Sequence, residues 1–250
     1  MGNNPTPQNW SDTTTDQKVN INNGVILSKA SYFNFAASKS YVETARSGGL
    51  IIDPDILKQR FYEDLITGEY DPTNGYFKNG LTEKEAAYVA NNYVYHGTGL
   101  SGEEDQLTML SSVDDPNERY VISSGSNSVE EKWINNPRTV VGSTTGDLGQ
   151  DINALTGDNS SITFGKTLDP NYTYNFVGHS NGGARSVETA QWFFDNGFTI
   201  GEILAYNSPG TPYGRWEDRP NPNSNFGGTH RVWVSLDRPI ADKITYITNG

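Results

Sequence analysis

The chain contains no cysteine and only three histidines. Without thiols it can build no disulfide framework, no thiolate zinc site and no cysteine nucleophile, so redox chemistry does not reveal its compartment. Basic residues are also scarce: 18 Lys and Arg stand against 30 Asp and Glu, for a net charge of -12 and an isoelectric point near 4.6. Such a field repels phosphate backbones and anionic membrane surfaces, which argues against nucleic acid as a partner. No apolar run approaches the roughly 18 residues of a membrane-spanning helix, and the first thirty residues lack the basic start and apolar stretch of a Sec signal. The expectation is a soluble chain without a membrane span, cytoplasmic or exported by a signal-less route; oligomeric state is not encoded in any readable way. No His/Asp/Glu spacing suggests zinc, and Asp71-Pro72-Thr73-Asn74-Gly75 lacks the alternating carboxylates and terminal glutamate of a calcium loop. Gly165-Lys166-Thr167 ends like a P-loop, but Ser160 stands where the leading glycine is required. Neither a metal nor a cofactor is expected.

What is present is a folding chain of 250 residues, 34% hydrophobic, with 14 Tyr, 10 Phe and 5 Trp, enough for one sizeable core. Residues 1–25 are rich in Asn, Thr, Asp and Pro and read as a flexible arm. Residues 26–92 read as a helical extension, with helices over Asp55 to Ile66 and over Thr82 to Asn92, the second opened by the capping pair Thr82 and Glu85. Residues 93–250 read as the core. There, strand-like runs (Tyr93 to Tyr95, Tyr120 to Ser123, Tyr172 to Val177, Ile200 to Tyr206, Arg231 to Ser235) alternate with helix-like ones (Glu103 to Ser112, Val129 to Asn135, Asp147 to Leu155, Gly183 to Asn196). This alternation predicts an α/β fold, a mostly parallel sheet covered by helices on both faces.

One segment carries chemistry. Gly178-His179-Ser180-Asn181-Gly182-Gly183 follows the apolar run Tyr174 to Val177 and precedes Ala184, Val187, Ala190 and Phe194 at helical spacing. A hydroxyl is a poor nucleophile at neutral pH, so a catalytic serine must stand exposed beside a base and near donors for the developing oxyanion. A sharp strand-to-helix turn provides that exposure, and glycines two residues to each side of Ser180 relieve its crowding. The competing reading is a glycine-rich turn with an incidental serine.

The segment resembles the nucleophile elbow of lipase and esterase members of the α/β-hydrolase superfamily, nearest to bacterial hydrolases and effector lipases of undefined substrate. The likeness extends over about residues 90 to 245. It includes His96-Gly97-Thr98-Gly99, like an oxyanion loop, and Ala205-Tyr206-Asn207-Ser208-Pro209-Gly210, like the "GSP" segment of many lipases. It also takes in Arg231-Val232-Trp233-Val234-Ser235-Leu236-Asp237-Arg238-Pro239-Ile240, like the strand and turn that carry the family's acid. The resemblance implies Ser180 as nucleophile, Asp237 as orienting acid, and an oxyanion hole from the backbone N–H of Asn181 with one from Gly97 or Thr98. Gly178, His179 and Gly182 complete the elbow. The competing reading of Asp237 is a solvated turn carboxylate or helix cap, and that of residues 96–99 an ordinary glycine turn.

The family's order is serine, acid, then histidine, and no histidine follows Asp237. His179 adjoins the nucleophile and points away from it. His230 and His96 are the candidate bases, each displaced from the family position. Two expectations follow: a serine esterase whose base histidine lies in a C-terminal piece that these residues lack, or a non-catalytic binding module of a larger secreted or effector protein. Small polar esters and lipid esters are both compatible as substrates.

Overall fold

The computed structural model describes residues 15–68, 80–101, 105–125, 168–208, 214–220, 229–235 and 238–247, with side chains of 15–21, 99–101, 105–106, 214–220, 229–235 and 238 outside that description. Four helices come first: α1 (Thr15–Ala30), α2 (Ala36–Ser47), α3 (Pro54–Thr67) and α4 (Glu83–Asn92). Their ends carry the signals helices need. Asp53 accepts from the amides of Asp55 and Ile56 at the start of α3, Pro54 occupies the first turn, and Gly68 at φ 57° closes the helix. Thr82 and Glu85 form a reciprocal capping box on α4. The start of α2 has no cap of its own; buried Asp64, from α3, accepts from Ala37 N at 3.0 Å, Ser38 N at 2.8 Å and Ser38 Oγ at 2.6 Å. Helix α1 begins inside the stretch that composition reads as an arm. Its Gly24 lies so close to Tyr206 that an added Cβ would fall 2.2 Å from the phenol oxygen, so the helix is held by packing that its polar sequence does not announce.

The strands β1 (Tyr93–Ser101), β2 (Asp105–Ser112), β3 (Glu118–Ser123), β4 (Thr173–His179), β5 (Thr199–Tyr206) and β8 (Ile244–Ile247) form one sheet in the order β1-β2-β3-β4-β5-β8. The pairs β3–β4, β4–β5 and β5–β8 are parallel, while β1–β2 and β2–β3 are antiparallel. The expected α/β architecture, with a mostly parallel sheet, is present. Residues alternate between two cores: Tyr95, Leu110, Ile122 and Val177 face the layer of α1–α4 with Phe33, Phe61 and Leu65. Met109, Val121, Phe176 and Ile203 face the other side with Val187, Ala190 and Phe193 of helix α5 (Asn181–Asp195) and Ile240 of the short α6 (Arg238–Ala241).

Two sequence expectations are corrected here. Glu103 to Ser112 is not a helix; from Asp105 it is β2, pairing with both β1 and β3, because two partner strands satisfy its backbone and bury Leu107, Met109 and Leu110 on both faces. The run Arg231 to Ser235 does not join the main sheet. It lies in β7 (Thr229–Ser235), which pairs antiparallel with β6 (Gly214–Pro220) as a separate two-stranded sheet. The last strand of the main sheet is instead the four-residue β8. The expected helices over Val129 to Asn135 and Asp147 to Leu155 lie outside the described residues.

Candidate active site

Ser180 stands between β4 and α5 with φ 55° and ψ -129°, a backbone region that residues bearing a side chain rarely adopt and that costs on the order of 1–3 kcal/mol. The turn is tied down on both sides. Ser180 N–H donates to Tyr206 O at the end of β5 (2.8 Å), and Gly183 N–H donates to Ser180 O (3.0 Å). The flanking glycines are demanded by contact. A Cβ on Gly178 would lie 2.1 Å from Gly182 O; one on Gly182 would lie 2.4 Å from Ser123 O and 2.5 Å from Ser124 O. The elbow thus lets β4, the first turn of α5 and the end of β3 converge beneath one half-buried serine, whose side chain caps none of the helix amides. Asn181, fully buried, opens α5. A helix start presents backbone amides outward, and the helix dipole favours negative charge at this end.

His179 points away from the serine, as its place in the chain implies. Its Nδ1 lies 2.8 Å from the Tyr32 hydroxyl, with the two rings edge to face at 5.9 Å. Burial pushes its pKa below the usual histidine value, so the ring is neutral near pH 7. Tyr32 comes from the turn after α1 and is itself buried. A Cβ on Gly125 would lie 2.1 Å from its hydroxyl and 2.7 Å from His179 O. Tyr32 thus joins the helical layer to the elbow.

The structure does not bring residues 96–99 there, and this corrects the expected oxyanion loop. Gly97 and Thr98 sit inside β1, opposite Met109 and Thr108, and through β2 and β3 they are level with Phe176 and Val177. Three strand spacings of ~4.8 Å separate β1 from β4. Thr98 Oγ1 is bonded by Tyr95 Oη (3.0 Å) and lies 2.9 Å from Thr108 Oγ1, inside the core. His96 shares this fate. It occupies the irregularity between Tyr95 and Gly97, with Nε2 2.8 Å from Ser111 Oγ. Burial, aided by the positive charges of Arg119 and Arg46, lowers its pKa to about 4.

The backbone that does reach the elbow is the exit of β3, Ser123-Ser124-Gly125. Ser186 Oγ of α5 donates to Ser123 Oγ at 3.1 Å, and Arg185 Nη1 donates to Ser124 O at 3.0 Å. Sequence reasoning missed this segment, although a glycine two residues past the strand-like run Tyr120 to Ser123 was a usable signal. It also missed Tyr32, which has no local signature. His230 pairs with Arg219 in the β6–β7 ladder, away from the main-sheet edge expected for it, and its side chain lies outside the described residues. Asp237 lies outside them entirely. Among the described residues no group of three His, Asp or Glu side chains is placed to hold a metal, and no helix is long and apolar enough to cross a membrane.

No family model matches the chain, and no curated protein matches it. Among solved structures it is similar to Lip2 lipase from Yarrowia lipolytica, at 14% identity and a TM-score of 0.44, over 78% of this chain and 59% of that one. It is similar to M37 lipase at 14% identity and 0.47, over 91% and 67%. It is also similar to the lipase from Rhizopus microsporus var. chinensis at 12% identity and 0.42, over 98% and 88%. The chain spans 59% of the length of the Yarrowia protein.

Proposed function

We propose that this chain is a serine hydrolase of the α/β-hydrolase type that cleaves carboxylic esters through an acyl-enzyme on Ser180. The observation that carries the reading is the backbone of Ser180: a side-chain-bearing residue held at positive φ, at a helix N-terminus, between glycines that only a close three-way approach of backbone requires. Strain of this kind persists where surrounding structure enforces it, and it clusters at functional turns.

In this reading Ser180 Oγ attacks the ester carbonyl carbon as a base takes the hydroxyl proton. The carbonyl oxygen becomes an oxyanion, accepting from Asn181 N–H and from an amide of the turn that follows β3. Collapse returns the proton to the departing alcohol, and water then repeats the sequence on the acyl-serine. The exit of β3 takes the role that the sequence assigned to Gly97 and Thr98. Asp237 is the proposed orienting acid. The base is a histidine other than His179 and His96, since both are committed elsewhere; His230, or a histidine outside these 250 residues, is the remaining candidate. That commitment of both described histidines is also what favours a second reading, a binding module that keeps the elbow without the chemistry.

Labelling with a fluorophosphonate probe separates the two. An adduct whose mass maps to Ser180 and vanishes in Ser180→Ala supports the hydrolase and makes His230→Ala the next variant. A folded chain that takes no label supports the binding module.

A further inference from the structure

The main sheet carries a bulge where parallel strands rarely have one. Tyr174 of β4 pairs with Ile200 of β5 and Phe176 with Ile203, so Asn175 alone stands opposite both Gly201 and Glu202. Ile200 and Ile203 both pack in the core beside α5, and the extra residue leaves Gly201 and Glu202 together on the face toward α1. Asn175, buried, holds the bulge. Its Oδ1 accepts from Glu202 N–H at 2.8 Å, and its Nδ2 donates to Arg119 O at 3.4 Å. A Cβ on Gly201 would lie 2.1 Å from that same Oδ1.

Over the bulge lies a cavity of about 320 Å³, bounded on its far side by Asn23, Gly24 and Leu27 of α1 and within the size range of small-ligand sites. Its lining combines two chemistries. Tyr93 and Tyr120 meet edge to face, with centroids 5.1 Å apart and planes at 84°, and so make an aromatic corner. Glu118, half-buried, and Glu202, at the rim, add two carboxylates. Tyr120 Oη fixes the first of them by donating to Glu118 Oε2 at 3.1 Å. Burial, with Tyr93 and Glu118 nearby, pushes the Tyr120 phenol well above its usual range, so it stays a neutral donor. No Lys or Arg is among the described residues that line the cavity.

Tyrosine faces and carboxylates both attract positive charge. Two carboxylates fall short of the oxygen set that a hard metal ion takes, and among the described residues no group of three His, Asp or Glu could hold one. An organic ammonium needs no such set, because ring faces accept its methyl or N–H surface. We propose that this cavity binds the ammonium group of a small organic cation, seated against Tyr93 and Tyr120 and neutralised by Glu118 and Glu202. The site is separate from the elbow: Asn175 precedes Ser180 by roughly 16 Å of strand. The proposal therefore stands apart from the reading of Ser180 as nucleophile. A cation held there ties α1 to β3 and β5 and stabilises the folded chain by mass action.

The test is isothermal titration calorimetry of the whole chain with choline chloride, at an ionic strength held constant with sodium chloride. Choline should give a saturable heat, and neohexyl alcohol, its neutral isostere with carbon in place of nitrogen, should bind at least about tenfold more weakly. Glu202→Gln, a substitution at an exposed position, should weaken choline about tenfold. Tyr120→Leu should do the same by removing a ring, while Tyr120→Phe stays within about threefold; if Tyr120→Leu is unfolded by circular dichroism, Glu202→Gln decides. Ser180→Ala should bind as wild type does. Titration with ethanolamine shows whether a primary or a quaternary ammonium is preferred. Pelleting with phosphatidylcholine vesicles that is lost in Glu202→Gln assigns the ammonium to a lipid headgroup, and no pelleting assigns it to a free cation. No heat from choline or ethanolamine up to about 50 mM, equal binding of neohexyl alcohol, or unchanged affinity in Glu202→Gln overturns the proposal. Binding lost in Ser180→Ala places the cation at the elbow and overturns it too.

Discussion

Among the described residues, Ser111 and Ser180 each have a histidine close by, and the two places behave as opposites. Ser111 has its hydroxyl 2.8 Å from His96 Nε2, the contact expected of a nucleophile and its base. It lies in regular β2, paired on both sides, and the imidazole is pushed to a pKa of about 4. Ser180 adjoins His179 in sequence, but that ring is turned onto Tyr32, and the serine is held in a conformation its side chain disfavours. The pair with the hydrogen bond has no strained turn and no helix start. A Ser–His contact therefore identifies little in itself; the backbone around the serine distinguishes the two.

The comparison is broken most directly by removing each hydroxyl. Ser180→Ala should abolish fluorophosphonate labelling, and Ser111→Ala should leave it within about twofold, as read by adduct mass. Labelling lost in Ser111→Ala alone would invert the assignment. Next in size is Gly182→Ala. Its methyl would meet two backbone oxygens of the β3 exit, and overpacking of this kind costs roughly 3 kcal/mol or somewhat more where backbone must move; urea unfolding measures it.

The pH dependence sharpens the other side of the comparison. His96 has a folded-state pKa of about 4 against 6.5 for the free side chain. Between those values the unfolded chain binds a proton that the folded chain refuses. Its contribution is thus complete above pH 6.5 and is lost as pH falls toward 4, at up to roughly 1.4 kcal/mol per pH unit. His96→Gln should flatten that slope in urea melts at pH 7 and pH 5. Smallest is Tyr32→Phe, which removes the bond to His179 for about 1 kcal/mol and should leave the sheet intact by circular dichroism.

The parts legible in the sequence were those whose cause is local. The glycines around Ser180 could be read because their spacing is set within five residues, and the start of α4 because Thr82 and Glu85 act on each other's neighbouring amides. The illegible parts depend on distant chain. Asp64 caps a helix 26 residues away, Tyr32 meets a histidine 147 residues on, and nothing within residues 105–112 says that strands wait on either side. Leu107 and Leu110 share helical spacing, and only pairing with β1 and β3 overrides it. The oxyanion assignment failed for the same reason. Gly97-Thr98-Gly99 and Ser124-Gly125 are both short glycine turns on paper, and only the strand order places one of them beside the elbow.

That strand order also bears on the route by which the chain folds. Glu118 pairs with Thr173, so the two strands beneath Ser180 meet only after a loop of more than fifty residues has closed, which is slow relative to helix formation. The tight turn has nothing to hold it until β3, β4 and β5 are in place. It should be a late element, absent from the transition state. Weakening the elbow, as in Gly182→Ala, should then quicken unfolding and leave the folding limb of a chevron almost unmoved. The site would be the last part assembled and the first released.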